Sequence, residues 1–466
     1  MKIPKQTLLT SFIFVLCSIG PLLDSTMVNI ALNELMKDLN TSLIAIQWGV
    51  TGYVLALAMA VPVSGWLLDH FNGKKLLIAS VIFFGIFSLL TGLSWNVGSF
   101  IIFRILQGLA AGVISTVGMS LIMSIAPNQV LGRLMSIITI PAIFGPIIGP
   151  VLGGVFLQYL DWQWIFFINV PISIVSIVVV QMFVKDFAPF NPKSRIDVLG
   201  IVLLAGIASS FIYGLVTISD HINHLSFMEE GMILFAFVLT GLYVFWNHIE
   251  EGNVDLPPRF YRNSKFSAAS VGLFFGSAIR IGPLLLLPLF FQNGRQYSAI
   301  QAALILIPQG LGMLLARPLI GRLIDSRGAR FVVIPSVLFT ALGSLPFIIA
   351  DASTSIVVLA IALFIRGVGL SGVQLPMMTD IYDGIEVTDM PRASVASQMI
   401  QNIGMSFGSS MVSAVVALVI SLQVTVKPQM ATLHGYQIAF AVSTVFTLLM
   451  LVVSRWLSRN VSTNTR

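Results

Sequence analysis

Apolar runs of twenty or more residues recur along almost the whole sequence, and they constrain its fold more than any other feature. A run of this length crosses the roughly 30 Å hydrocarbon core of a bilayer as a helix. Alternation of period two is absent, and backbone groups in lipid must be satisfied within their own segment, so helices are predicted. With 9% charged residues, the 466-residue chain also has too little polar surface for a water-soluble globule. We therefore predict an all-α integral membrane protein.

We predict fourteen membrane spans. Six lie in the first part of the chain, at 8–33, 45–68, 76–96, 98–124, 133–157 and 163–184. Six lie in the last part, at 266–291, 300–323, 331–350, 354–380, 394–424 and 435–457. Two further runs, 198–218 and 228–249, lie between these sets. The alternative is twelve spans, with the middle pair outside the membrane.

The positions of Lys and Arg predict the orientation. With a cytoplasmic N-terminus and fourteen crossings, eighteen basic residues fall in cytoplasmic loops and three in outer loops. Cytoplasmic loops hold most of the Lys and Arg in membrane proteins, so both termini are predicted to be cytoplasmic. The net charge of +6 then reflects topology, and no nucleic-acid partner is expected. We assign 1–190 to an N-terminal six-helix bundle, 191–258 to two inserted helices with linkers, and 259–466 to a C-terminal six-helix bundle.

One polar turn occurs twice, as GWLLDHFNGKK at 65–75 and GRLIDSRGAR at 321–330. Both copies follow the second span of their set. The aligned pairs are Gly65 with Gly321, Leu67 with Leu323, Asp69 with Asp325, and Lys74 with Arg330. This duplication predicts two parallel halves related by an axis along the membrane normal, which is an architecture of secondary transporters.

Six stretches carry a resemblance to a known family: LDSTMVNIAL at 23, QWGVTGYVLA at 47, the GWLLDHFNGKK turn, RILQGLAAG at 104, GPIIGPVLGG at 145 and WQWIFFINVP at 162. The sequence resembles the major facilitator superfamily and, within it, the fourteen-helix drug:proton antiporter branch of EmrB-, QacA- and MdtD-type exporters. This resemblance implies a multi-pass protein of the bacterial inner membrane that exchanges protons for small molecules by alternating access. We expect it to act as a monomer in the lipid bilayer.

The repeated turns are candidates for a cytoplasmic gate. Their carboxylates lie at helix ends, where they can accept hydrogen bonds from a neighbouring helix and pair with basic residues. The resemblance implies that the turn stabilises the outward-facing state and that Arg133 is the partner of Asp69. Asn72 replaces a family glycine, and we expect it to adopt the left-handed conformation, with Gly73 adding slack. The alternative is a positively charged loop without a gating role. The candidate gating residues are Gly65, Asp69, Asn72, Gly73, Lys74, Arg133, Gly321, Asp325, Gly328 and Arg330.

The GPIIGPVLGG stretch predicts a helix with one small face. Its glycines stand four residues apart, which lets a neighbouring helix approach closely, and its prolines free carbonyl groups and bend the helix. By resemblance this is the antiporter motif and forms a hinge, although simple close packing explains the spacing equally well. The candidate hinge residues are Gly145, Pro146, Gly149, Pro150, Gly153 and Gly154.

Asp24 is the one carboxylate that clearly falls inside a predicted span. An intramembrane acid costs several kcal/mol unless it is paired, protonated or facing water, so it is a functional candidate. Asp24 could exchange protons or bind a cationic substrate, and competition between these roles would couple them. The resemblance implies that Arg104 assists proton transfer and that Gln107 lines the cavity. The alternative is a structural acid near the outer mouth.

Other polar residues within the spans are candidates for the substrate cavity. They are Asn29, Gln107, Arg280, Gln309, Arg366, Gln398, Gln401 and Asn402. Several basic groups facing one cavity would suit an anionic or zwitterionic substrate better than a lipophilic cation. The residues thus leave two functions open: multidrug efflux of amphipathic compounds, and dedicated export of an anionic or zwitterionic metabolite such as a siderophore. Hydrogen bonds to neighbouring helices would explain the amide side chains of Gln398, Gln401 and Asn402 equally well.

A membrane-embedded enzyme is a remote alternative. All five His fall in loops or at span ends, and no paired catalytic carboxylates are present in the sequence. His221 and His224 lie in a loop that does not fix a metal geometry, so no metal site is expected. No phosphate-binding G-x-x-x-x-G-K-[ST] pattern occurs, so ATP is not the expected energy source and no cofactor is expected.

Overall fold

The structure is a computed structural model that describes residues 3–457, except 29–30, 128–129, 140, 193–196, 221–226, 250–255, 298, 352 and 424–427. Every regular element in the described ranges is helical. The first nine α-helices are α1 Lys5–Met27, α2 Leu32–Asp38, α3 Leu43–His70, α4 Gly73–Gly92, α5 Val97–Ile125, α6 Leu131–Ile138, α7 Pro141–Tyr159, α8 Trp164–Phe167 and α9 Asn169–Phe183. The inserted pair follows as α10 Val198–Asp220 and α11 Phe227–Ile249.

The last part of the chain forms eight further α-helices. They are α12 Pro258–Arg262, α13 Ser264–Leu289, α14 Ala299–Ile305, α15 Ile307–Arg327, α16 Ala329–Ile349, α17 Ile356–Asp380, α18 Met390–Leu422 and α19 Pro428–Val453. Polar N-caps explain several starts. Asn96 accepts a hydrogen bond from the backbone nitrogen of Ser99 at 2.8 Å before α5, and Ser42 accepts one from that of Ala45 at 3.3 Å near the start of α3.

Twelve helices in the described residues are long and apolar enough to cross a membrane, and they include α10 and α11. The inserted pair therefore has the length and composition of membrane spans. Two of the fourteen predicted spans are not among the twelve. The predicted span 133–157 corresponds to α6 and α7, which are separate helices, and 300–323 corresponds to α14 and α15. Arg317 and Arg322 make α15 less apolar than the other long helices.

The helices form two groups with the same internal packing. In the N-terminal group, α1–α9, α5 packs against α3 and α4, and α1 packs against α7 and α9. In the C-terminal group, α12–α19, α17 packs against α15 and α16, and α13 packs against α18 and α19. The α3–α5 pair of the first group thus has its counterpart in the α15–α17 pair of the second.

Helix α10 contacts both groups, because it packs against α3 and α18. A buried apolar cluster at this junction includes Val61 of α3, Leu204 and Ala208 of α10, and Val395 of α18. Helix α11 packs on α10 and keeps large apolar side chains such as Phe237 exposed, which suits a surface in contact with lipid. The inserted pair therefore lies along the seam between the two groups.

Candidate functional site

Asp24 lies on α1 within a fully buried polar cluster. Its carboxylate forms an ion pair with Arg104 of α5. It also accepts hydrogen bonds from Gln107 Nε2 at 3.1 Å and Asn169 Nδ2 at 3.3 Å. Arg104 donates to Gln107 Oε1 at 2.9 Å, which closes the cluster. The structure thus brings together both residues predicted for proton coupling and one residue predicted for the cavity.

Aromatic and backbone groups hold the Arg104 guanidinium in place. The Tyr53 ring centroid lies 4.1 Å from Arg104 Cζ, and the Phe166 centroid lies 5.6 Å from it. Such ring faces attract a cation. Arg104 Nε donates to the carbonyl of Gly49 at 3.4 Å, whereas Nη2 has no hydrogen-bond partner in the described part of the chain. Loss of the Asp24 charge in this arrangement would leave a buried guanidinium without its counter-charge, which is energetically costly.

Asn169 is a member of this cluster that sequence reasoning missed. Its Nδ2 also donates to Ser88 Oγ of α4 at 3.0 Å, and Ser88 Oγ donates to the carbonyl of Phe166 at 2.9 Å. These bonds connect α4 and α9 to the carboxylate of Asp24. The available signal was an amide side chain within the apolar run of the WQWIFFINVP stretch, because such a group needs a partner in the membrane.

The glycine face of α7 packs against α1 beside Asp24. A Cβ added at Gly145 would lie 2.6 Å from Leu22 Cγ, and one added at Gly149 would overlap Thr26 Oγ1. Thr26 Oγ1 donates to the carbonyl of Gly145 at 3.3 Å. The close helix approach predicted from the spacing is therefore present, and it contacts α1 at Leu22 and Thr26, two residues to either side of the buried acid.

The other predicted hinge residues differ in their surroundings. Gly153 also faces α1, since an added Cβ would lie 3.4 Å from the carbonyl oxygen of Met27, whereas Gly154 has no such neighbour within 4 Å. The side chains of Pro146 and Pro150 lie outside the described residues.

The two repeated turns meet the opposite group at one end of the seam, which we call the turn end. Asp325 of α15 accepts hydrogen bonds from Arg133 Nε at 2.6 Å and from the backbone nitrogen of Gly132 at 2.7 Å. An added Cβ at Gly321 would lie 2.8 Å from the carbonyl oxygen of Gly132. Helices α6 and α15 therefore touch through their backbones, and this approach requires glycine on both sides.

Asp69 makes the corresponding contact in the opposite direction. Its carboxylate lies 3.5 Å from Arg392 Nη2 on α18. Arg392 Nη1 pairs with Asp389 at 3.0 Å, and Asp389 pairs with Arg259 at 2.6 Å. The turn end is thus closed by ion pairs that join the two groups.

The contacts described for Arg133 and Asp69 are with the opposite group, whereas the prediction paired the two residues with each other. Arg133 pairs with Asp325 of the other group, while Asp69 pairs with Arg392. The reason is the repeat itself, because each turn carboxylate reaches the start of the equivalent helix in the opposite group. Sequence reasoning assigned Arg392 only to the cytoplasmic charge bias and missed this role.

The basic residues of the turns bind within their own group. Lys74 Nζ donates to the carbonyl of Gln181 at 2.9 Å, near the end of α9. Arg330 Nη1 donates to the carbonyl of Arg455 at 3.3 Å, just after α19. Both side chains therefore bind carbonyl groups at the end of the last helix of their group, where the helix dipole favours a cation.

The expected left-handed conformation of Asn72 was wrong. Asn72 has φ −61° and ψ 121°, and its side chain accepts a hydrogen bond from the nitrogen of Lys75 at 3.2 Å as the N-cap of α4. The aligned Gly328 has φ 81°, so the second turn keeps the glycine conformation. Gly73 donates its backbone N–H to the carbonyl of Phe187 at 3.1 Å. The Asn side chain thus favours a cap over a positive φ.

Several predicted cavity residues form hydrogen bonds with other residues of the C-terminal group. Arg366 is buried and donates to Gln309 Oε1 at 2.9 Å, Ser344 Oγ at 3.1 Å and the carbonyl of Ile279 at 3.3 Å. Gln401 Oε1 accepts a hydrogen bond from Gln374 at 3.0 Å. These residues contribute to packing between helices in this conformation.

The remaining predicted cavity residues are less constrained. Gln398 is half-buried, and Asn402 is buried with Nδ2 unpartnered in the described ranges. Arg280 is half-buried and contacts Met405 Sδ at 3.4 Å. Asn29 lies outside the described residues, as do His221 and His224. In the part of the chain that the structure describes, no three His, Cys, Asp or Glu residues could hold a metal ion.

Comparison with known proteins places this arrangement in a family. The family model of the Major Facilitator Superfamily matches residues 14–409. The multidrug resistance protein B homolog of Mycobacterium tuberculosis (strain ATCC 25618 / H37Rv) is 28% identical over 411 residues, which cover 86% of this chain and 75% of the relative.

Solved structures share the fold at low sequence identity. The human organic anion transporter MFSD10 (TETRAN) is 12% identical with a TM-score of 0.62, and 96% of each chain is covered. The proton:xylose symporter XylE is 14% identical with a TM-score of 0.62, and 96% of each chain is covered. The chain therefore belongs to the Major Facilitator Superfamily and is a multi-pass cell-membrane transporter, not an enzyme.

Proposed function

We propose that the protein exports small amphipathic compounds in exchange for protons, and that Asp24 carries the proton. The observation that carries this proposal is the fully buried Asp24–Arg104 pair, which joins α1 to α5. A buried ion pair costs desolvation free energy, which suggests that it has a function. Exchange of Asp24 between a paired and a protonated state would be such a function. The similarity to a multidrug resistance protein supports a drug-like substrate.

The buried cluster suggests how proton and substrate movements are coupled. Protonation of Asp24 while it is paired would leave Arg104 without its counter-charge, so the proton would bind only after the pair separates. Movement of α1 relative to α5 would separate the pair, and Asp24 would then accept a proton from an aqueous path. The glycine face of α7 allows α1 to slide closely against it. Proton release would follow when the pair forms again.

The turn end supports alternating access. We propose that the bundles 1–190 and 259–466 rock about the seam and that the turn end is cytoplasmic. The Asp325–Arg133 and Asp69–Arg392 pairs would then close the inner side in an outward-facing conformation. Inward opening requires both pairs to break, so their strength sets the balance between the two conformations.

We further propose fourteen spans with both termini in the cytoplasm. In this topology α6–α7 and α14–α15 complete the two six-helix bundles. Helices α10 and α11 would be the two additional spans at the seam, and the protein would function as a monomer in the bilayer.

Reconstituted protein provides the test. Rhodamine 6G and fluorescein, xanthene dyes of opposite charge, are offered outside proteoliposomes whose lumen is acidic. Wild-type protein should take up at least one dye faster as the gradient steepens, and Asp24→Asn should abolish this dependence. Asp161→Asn, which changes an exposed acid, should behave as wild type. Transport that ignores the gradient, or that keeps its gradient dependence in Asp24→Asn, would reject the coupling.

A second candidate function is dedicated export of an anionic or zwitterionic metabolite. The observation that favours it is a set of arginines in the C-terminal group without acidic partners among the described residues, above all Arg280 and Arg317. A deletion strain separates the two functions. Multidrug efflux predicts increased susceptibility to several unrelated drugs, whereas dedicated export predicts loss of one secreted compound with unchanged drug susceptibility.

A further inference from the structure

Two arginines of the C-terminal group are incompletely partnered. Arg317 on α15 is 7% exposed and donates to Thr139 Oγ1, but its Nε has no hydrogen-bond partner in the described ranges. Arg280 on α13 donates to Met405 Sδ at 3.4 Å, and its buried Nε is also unpartnered among the described residues. Neither guanidinium has an acidic partner in the described ranges, so a negative group bound beside them would compensate a buried positive charge.

Asn402 adds a third donor. Its buried Nδ2 has no partner among the described residues, and it lies on α18 three residues before Met405, which contacts Arg280. The unpartnered buried nitrogens of Arg280, Arg317 and Asn402, on α13, α15 and α18, are all N–H donors. A buried donor left unbonded costs about 1–3 kcal/mol, so a ligand that supplies acceptor oxygens would be stabilised here.

The chain does not provide the missing negative charge in the described residues. Asp24 is the described carboxylate that lies within a spanning helix away from its ends, and it is paired with Arg104. Arg366 differs from Arg280 and Arg317, because neutral acceptors bind its Nε, Nη1 and Nη2. Arg280 and Arg317 are therefore the arginines whose positive charge lacks both an acidic partner and a full set of hydrogen bonds in this part of the described chain.

The location of this pair favours a transported ligand. Thr139 follows α6 of the N-terminal group, so its contact with Arg317 crosses the seam between the two groups. A ligand bound there would touch the part of the molecule that alternating access exposes first to one side and then to the other.

We propose that Arg280, Arg317 and Asn402 bind an anionic group of the transported compound, such as a carboxylate, sulfonate or phosphate. This inference rests on the proposed transport function and specifies its substrate class as amphipathic anions or zwitterions. A planar guanidinium binds two oxygens of such a group at once, and two guanidinium groups would also neutralise its charge. The site is separate from the Asp24–Arg104 pair, so ligand and proton would occupy different positions.

Dye binding to the purified full-length chain tests the proposal. Fluorescein and rhodamine 6G share a xanthene ring system but carry opposite charge, and binding of each is followed by fluorescence anisotropy in detergent. Arg280→Gln and Arg317→Gln should each weaken fluorescein binding by about tenfold, the value of one charge-assisted hydrogen bond. Rhodamine 6G binding should stay unchanged or increase. Arg280→Lys and Arg317→Lys should retain part of the affinity because they keep the charge.

Arg322→Gln is the matched control, because Arg322 lies on the same helix as Arg317 but is exposed. It should bind fluorescein as wild type does. Unchanged fluorescein binding in both Gln variants would overturn the proposal, as would a parallel loss of both dyes in folded protein. Gradient-driven transport that does not depend on the two arginines would refute the anion site but leave the proposed function intact. Arginine-dependent binding without gradient-driven transport would support the anion site but refute the proposed proton-coupled function.

Discussion

The Asp24–Arg104 pair makes a quantitative prediction about stability. Both side chains are fully buried, so removal of one charge leaves the other without compensation. Such a loss typically costs 3–5 kcal/mol. We expect about 3 kcal/mol for Asp24→Asn, because the Asn oxygen can still accept one hydrogen bond from Arg104. Arg104→Gln should cost a similar amount, because Gln107 and Asn169 still donate to the remaining carboxylate.

The double variant is the critical measurement. With neither charge present no uncompensated ion remains, so its loss should not exceed that of either single variant and should lie well below the sum of the two single losses. The free energy of unfolding is measured by circular dichroism during titration of mixed micelles with a denaturing detergent. Asp161→Asn, the exposed control, should change it by less than about 0.5 kcal/mol. Additive losses in the double variant would refute the argument that the two charges compensate each other.

Two predictions concern the seam and the hinge. Asp325→Asn should weaken closure of the turn end and increase the open population by about tenfold, measured as the distance distribution between spin labels on the two turns. Asp351→Asn, which alters an acid whose hydrogen bonds among the described residues lie within its own loop, should leave that distribution unchanged. Gly149→Ala should reduce transport at normal expression, because its Cβ would overlap Thr26 Oγ1, whereas Gly154→Ala should transport as wild type. Equal transport by the two Ala variants would show that this helix approach has no part in the cycle.

The sequence predicted the features that depend on local pattern. Apolar runs predicted the helices, the duplicated turn predicted the repeat, and one acid within a span predicted the buried site at Asp24. The pairing of Asp24 with Arg104 joins residues 80 positions apart, and the family resemblance indicated Arg104 as the second member. The close packing of the Gly145 face also followed from spacing, because small residues four apart form one side of a helix.

The cross-seam contacts could not be predicted in the same way. Asp325 and Arg133 are 192 residues apart, and the identity of each partner depends on how the two groups dock. The resemblance implied Asp69 as the partner of Arg133, and it did not indicate the contact of Asp69 with the equivalent Arg392 of the opposite group. The conformation of Asn72 was missed because a side-chain cap competes with the left-handed conformation, and propensity alone does not rank the two. The role of Arg366 in packing likewise depends on Gln309 and Ser344 from two other helices.

Proton exchange at Asp24 is tested most directly by protons released on substrate binding. Purified full-length protein in weakly buffered detergent solution is mixed with saturating fluorescein or rhodamine 6G, and the pH change is read with an indicator at a wavelength that neither dye absorbs. Within a series of starting pH values, wild-type protein should release protons with the transported dye at one or more of them, and Asp24→Asn should release none at any. Undiminished release by Asp24→Asn, or dye binding by wild-type protein without release at any pH, would contradict the account.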